Sequence, residues 1–225
     1  MRTWLAALAA LSLPLTLSSP ATAHDAAVFY PDRWPTNRTV HYSIHEDVPL
    51  SGGFRNSLAS GLARWSDLAG GNGPEFIRDA VSGGINNFYA CDNAYGGRLF
   101  VAENLASYLG YPSESVLGFT QPCIIDGVWT KFQMTFEKTA EASGASGWNT
   151  DDTAPGPNQW DLQSIATHEA GHATGFVGHF SAAAYCPSPA DATTQTMCAG
   201  DPSQKGTSMV RSLEDHDLHT LDNAY

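Results

Sequence analysis

The stretch Ile165-Ala166-Thr167-His168-Glu169-Ala170-Gly171-His172-Ala173-Thr174-Gly175-Phe176-Val177-Gly178-His179 constrains this chain more than any other. Two histidines four apart, with a glutamate directly after the first, form the H-E-x-x-H pattern, whose spacing suits a zinc hydrolase. On a helix, positions i and i+4 are offset by about 40° and rise about 6 Å, so both imidazoles can reach one ion. Glu169 lies about 100° from His168, near the ion without having to bind it, which suits a general base. Around the helical wheel, Leu162, Ile165, Glu169, Ala173 and Phe176 share one arc, with Gln163, Ser164, Thr167, Gly171 and Thr174 opposite. That pattern predicts a helix with the histidines at the shoulder of its buried face and Glu169 within that face. A carboxylate in an apolar stripe is costly to bury without a partner, and a metal-activated water would supply one.

Catalytic zinc typically takes three protein ligands, so a third must join His168 and His172. Gly175 can end the helix in a left-handed turn. His179 is the first ligand-capable side chain after that turn, with Asp191 in the following loop as the alternative. A different class of zinc hydrolase takes its third ligand from a glutamate on a downstream helix, for which Glu214 is the candidate.

The N-terminus narrows the compartment. Met1-Arg2 precedes an apolar run from Trp4 to about Leu17, and Ala21-Thr22-Ala23 follows. This is the form of a secretory signal peptide over residues 1–23, ending in a small-x-small site. The apolar run is too short to span a bilayer. Without Arg2, 10 basic residues face 23 acidic ones, a net charge of −13. So acidic a surface argues against nucleic acid or an anionic membrane as partner. In an exported chain, Cys91, Cys123, Cys186 and Cys198 read as two disulfides. The favoured pairing is Cys91 with Cys123 and Cys186 with Cys198, the second closing a short loop after the metal site; no C-x-x-C spacing supports a cysteine zinc site.

Residues 24–38 carry Pro31 and Pro35 without a period and read as an arm leading into one domain over 39–225. Residues 39–44 alternate Val40, Tyr42 and Ile44 on one face, a half-buried strand whose other face holds His41, read as solvated together with His45. Phe54, Leu58, Leu62, Trp65 and Leu68 describe an amphipathic helix over 54–68. Further strands are expected at 85–90, 98–101, 116–120 and 129–137, the last with Phe132, Met134 and Phe136 on one face. Residues 141–157 read as a surface loop, in which Asp151-Asp152 could hold calcium but is read as a solvated pair. Asp161 is the expected N-cap of the motif helix. Leu213, Leu218, Leu221 and Tyr225 predict a last helix within 212–225, with His216 and His219 as surface or packing residues.

Taken together, the motif H-E-x-x-H-x-x-G followed closely by a histidine, and the order of elements, resemble the metzincin superfamily of zinc endopeptidases, particularly its matrixin-like members. The resemblance implies an α+β fold: an α/β-type N-terminal lobe with a twisted mixed sheet and two long helices, a zinc cleft, and a small irregular C-terminal lobe ending in a helix. It implies one catalytic zinc held by His168, His172 and His179, with Glu169 as base. It also implies a methionine turn beneath the metal, for which Thr196-Met197-Cys198 is the candidate and Ser208-Met209 the runner-up. One departure stands out. The family has two residues between the glycine and the third ligand, which falls on Gly178 here; the histidine comes one residue later, at His179.

The resulting expectation is a secreted, monomeric endopeptidase acting on protein or peptide substrates, with the peptide extended along a sheet edge near 116–120. Beside it stand a glutamate-liganded (gluzincin-like) hydrolase and a secreted, non-catalytic zinc-binding module. No G-x-S-x-G supports a serine hydrolase.

Overall fold

The structure is a computed structural model. It describes residues 32–49, 51–66, 68–79, 91, 95–110, 116–140, 145–176, 178–179, 196–198 and 209–225. The signal-peptide reading of 1–23, most of the arm, the strand expected at 85–90, and Cys186, Asp191 and Ser208 lie outside these residues.

The sheet grows from the strand that alternates most clearly. Strand β1 (Thr39–Ile44) buries Val40, Tyr42 and Ile44. It is flanked by parallel neighbours β2 (Glu75–Arg78) and β3 (Gly96–Ala102). Strand β5 (Val128–Glu137) runs parallel to β3, and β4 (Gly118–Ile125) closes the edge antiparallel to β5. The order is β2-β1-β3-β5-β4, a five-stranded mixed sheet. With helices α1 (Gly52–Ala63), α2 (Leu105–Tyr108), α3 (Leu162–Thr174) and α4 (Asp215–Ala224), the described chain is a mixed α and β fold. None of its described helices is long and apolar enough to cross a membrane.

One continuous core joins the sheet to α1 and α3. Phe54, Leu58 and Leu62 of α1, Trp65 just beyond it, and Leu162, Ala166, Ala170 and Ala173 of α3 pack with Phe132, Met134 and Phe136 of β5. The two helices approach so closely that a Cβ on Gly61 would lie 2.6 Å from the Ala166 carbonyl carbon and 2.7 Å from the Thr167 nitrogen. Backbone cannot yield there, so Gly61 sets the distance between α1 and the motif helix.

Several boundaries move for identifiable reasons. Helix α1 stops at Ala63 rather than Leu68, because Arg64 and Trp65 bond three residues back, tightening the last turn. The Trp65 indole then donates to Thr167 O at 2.7 Å. Strand β4 runs on beyond the expected end at residue 120 and through Pro122; on an edge strand the missing donor has no ladder partner to lose. The segment expected to be an arm joins the core at its end: Trp34 is buried and its indole donates to Ala173 O at 2.8 Å, across the last turn of α3. The loop expected at 141–157 contains β6 (Trp148–Asn149), which pairs in parallel with β7 (Trp160–Asp161) just before α3. The last helix forms within the expected span but starts at Asp215.

Cys91 and Cys123 are bonded as expected, with Cα atoms 5.4 Å apart. Cys198 is also disulfide-bonded.

Candidate metal centre

Helix α3 begins as the sequence reading expects and differs in what surrounds it. Asp161 is its N-cap and accepts from Ser164 N at 2.9 Å. The face read as opposite the core is buried too: Gln163, Thr167, Gly171 and Thr174 are all covered. Helical periodicity separates polar from apolar residues but misses small hydroxyl side chains that satisfy themselves. Thr167 and Thr174 donate to Gln163 O and Gly171 O, which lets that face pack against protein.

At its C-terminal end α3 stops at Gly175, whose φ of 119° lies in the left-handed region. Such a φ suits glycine and strains other residues. Gly175 N bonds His172 O at 3.0 Å and Phe176 N bonds Gly171 O at 3.3 Å, so the chain folds back over the last turn. That return brings His179 to the motif histidines despite the extra residue. His179 Nε2 lies 2.9 Å from His168 Nε2 and 3.3 Å from His172 Nε2, and the ligand atoms of the three lie within 4.8 Å of one another.

Their protons explain what such a cluster can do. His168 Nδ1 is 2.8 Å from Thr196 O, and His172 Nδ1 is 2.9 Å from Phe176 O. A carbonyl oxygen only accepts, so both Nδ1 atoms carry the proton and both Nε2 atoms present bare lone pairs. His179 Nε2 has at most one hydrogen, and it cannot satisfy both. Protonating the ring nitrogens is also disfavoured. Burial, then the neighbouring His172 and His179, holds His168 well below the ordinary histidine range; burial lowers His172; burial and His172 lower His179 to about 4. A cation in place of protons fits the donor set: a tetrahedral ion with bonds of about 2.0–2.1 Å holds its nitrogens about 3.3 Å apart. The group can hold a metal ion.

Glu169 is 6% exposed and faces β4. Its partner, invisible in the sequence, is Thr120, whose Oγ1 lies 2.8 Å from Glu169 Oε2 and 2.9 Å from Glu169 O. One hydroxyl hydrogen serves both acceptors while the carboxylate is ionised. A protonated carboxyl can instead donate to Oγ1 and free the hydroxyl for the main-chain oxygen. Burial pushes Glu169 up to about 7, against the lowering effect of the Thr120 hydrogen bond. A pKa near neutrality is where a general base works best.

Beneath the site, Met197 is fully buried. A Cβ on Gly171 would lie 2.2 Å from its sulfur, so the glycine inside H-E-x-x-H is the space Met197 fills. The turn is held from below by Asp217 of α4, which is completely buried. It accepts from Thr196 N at 2.8 Å, Met197 N at 3.1 Å and Glu214 N at 3.1 Å. Burial raises the Asp217 carboxyl to about 6, against the lowering effect of those three bonds. Asp217 therefore reaches His168 through one turn of chain. In sequence it is only an acid in the first turn of a helix, a favourable place whatever its contacts. Met209, by contrast, is 42% exposed.

No family model and no curated protein matches this chain.

The remaining candidates stand apart from the trio. Glu214 is the N-cap residue of α4 and accepts from Ser212 Oγ at 2.6 Å. His41 pairs with Asp79 at 2.9 Å on the surface, while His216 is half-buried and His219 exposed on α4. The acidic loop meets an arginine: Arg211 Nη1 bonds Asp152 Oδ1 at 3.0 Å, and Nη2 bonds Asp151 O. Asp151 Oδ1 is taken by Thr153 N at 2.9 Å and by Thr153 Oγ1.

Proposed function

We propose that this protein is a secreted, zinc-dependent endopeptidase of the matrixin-like metzincin kind. The observation that carries the reading is the convergence of three Nε2 atoms, two of them bare because His168 and His172 commit their protons to main-chain carbonyls, beside a buried glutamate poised near neutrality. A closed structural zinc site would want a fourth protein ligand, and among the described residues the group is a trio. That favours an open position for a water, and with it catalysis over a binding module.

His168, His172 and His179 would hold the ion, their orientation fixed by Thr196 O and Phe176 O. A bound zinc supplies Lewis acidity, activating a water and polarising the scissile carbonyl. Glu169 then takes the water's proton and delivers it to the leaving amine, so no covalent intermediate is needed. The Thr196-Met197 turn, packed into the space at Gly171, keeps the His168 ring from turning away.

Strand β4 gives the substrate its place. It is an edge strand of the sheet and lies directly against Glu169. A peptide added along it gains main-chain hydrogen bonds that depend little on sequence. An extended or unfolded protein segment is therefore the substrate class.

Removal and return of the metal tests the reading. Chelation should abolish cleavage of casein, and one equivalent of zinc per chain should restore it. Cleavage that survives full chelation, or zinc-loaded protein that cuts no peptide in a library, would refute it.

A further inference from the structure

Glu169 does not stand free in its cleft. Its side chain crosses from α3 to β4 and lies along two alternate residues of that strand. At Gly118 a Cβ would come within 2.7 Å of Glu169 Cγ, 3.0 Å of Oε1 and 3.1 Å of Cδ, so the strand leaves room for the side chain only because this residue has none. Two residues on, the Thr120 hydroxyl binds Oε2 at 2.8 Å and the main-chain oxygen of the same glutamate at 2.9 Å. Thr120 is the carboxylate's hydrogen-bonding partner among the described residues.

We propose that Thr120 is a positioning residue for the base, holding one carboxylate oxygen of Glu169 against β4 so that the other is aimed at the reacting water. The inference rests on the peptidase reading. Its physical basis is that a glutamate side chain has several rotatable bonds, and a base must be held within hydrogen-bond reach of the proton it removes. Gly118 blocks nothing and Thr120 fixes one end, so together they select one orientation of the carboxylate. Thr120 also belongs to the strand proposed to dock the peptide. One residue thus registers the base against the substrate's backbone: a peptide paired with β4 is set relative to the same strand that sets Glu169. A hydrogen bond to a charged group misplaced by this route costs about tenfold to a hundredfold in rate.

The test uses the full zinc-loaded chain with Thr120→Val, which keeps the shape and removes the hydroxyl, and Thr120→Ser, which keeps the hydroxyl. Thr120→Val should lower kcat about tenfold to a hundredfold with KM within about twofold, while zinc content and Tm stay at wild-type values. Thr120→Ser should recover most of that loss. In metal-free protein, the infrared carboxylate band that disappears in Glu169→Gln should shift in Thr120→Val and stay in place in Thr120→Ser. If valine disturbs folding, Thr120→Ala carries the same expectation. A Thr120→Val enzyme with wild-type kcat and an unshifted band, beside an inactive Glu169→Gln, overturns the role of Thr120 alone. Equal losses in the valine and serine variants overturn it as well. Glu169→Gln cleaving as fast as wild type overturns the base itself, and Thr120's role with it.

Discussion

The two ends of α3 treat charge and polarity in opposite ways. At the N-terminal end Asp161, with a side chain 1% exposed, is saturated with donors: Ser164 N and Oγ, Asn149 Nδ2 at 3.0 Å, and Arg211 through Nε at 2.9 Å and Nη2 at 2.6 Å. The buried carboxylate there is paired within the chain. At the C-terminal end three imidazoles converge through their Nε2 atoms, two of them bare, and the adjacent glutamate has one neutral hydroxyl. Complete pairing marks a corner that holds the fold together. Convergent donors that the protein itself leaves unpaired mark a corner built for something else.

The sharpest way to break the comparison is at the paired end. Arg211→Met should destabilise the protein by about 3 kcal/mol, because Asp161 keeps its charge in a buried place without its cation. Urea denaturation measures this, and adding Asp161→Asn should recover part of the loss. Zinc affinity corrected for stability should not change, and a large drop in it would mean that the two ends are not separate.

At the unpaired end, His179→Ala should weaken zinc binding by more than about a hundredfold, whereas Glu214→Ala should leave it within about threefold. Titration against a chelating indicator reads both, and the reverse pattern would assign the third ligand to Glu214.

The pH dependence of the metal-free protein sharpens the contrast further. Burial raises Glu169 from 4.5 to about 7, so between those values the folded chain holds a proton that the unfolded chain has released. Stability therefore falls as pH rises through that window. Glu169→Gln has no such proton. It should match wild type below pH 4.5 and exceed it by about 3 kcal/mol above pH 7, in denaturation curves with chelator present. A constant gap across pH would contradict the burial cost.

The smallest effect is expected at the turn. Gly175→Ala places a side chain at a φ of 119° and should cost about 1 kcal/mol, with a modest fall in zinc affinity as His179 is displaced.

What could be read in the sequence was what is local and periodic. Strand β1, the buried face of β5, the Asp161 cap, the Gly175 turn and the Cys91–Cys123 bridge each depend on a few neighbouring residues or on one spacing, and each is where it was expected. The short strand β2 was missed because four residues, Glu75–Arg78, are too few to show a period. The continuation of β4 through Pro122 is tolerated because the strand is at an edge, a property of the whole sheet that no local pattern carries. At the site, His168, Glu169, His172 and His179 could be nominated from spacing alone, although the extra residue before His179 left its arrival undecided until the fold-back over Gly175 was seen. Thr120 and Asp217 could not be nominated. They reach the motif helix and its turn across 49 and 20 or 21 residues of chain, and a lone threonine or helix-start aspartate carries no signal of that distance.

The most direct test of the central claim is the rate at which Glu169→Gln, carrying one zinc per chain, cleaves casein. The expected result is full zinc occupancy with cleavage reduced by about a hundredfold to ten-thousandfold. Cleavage at the wild-type rate with zinc in place would contradict the assignment of Glu169 as the base.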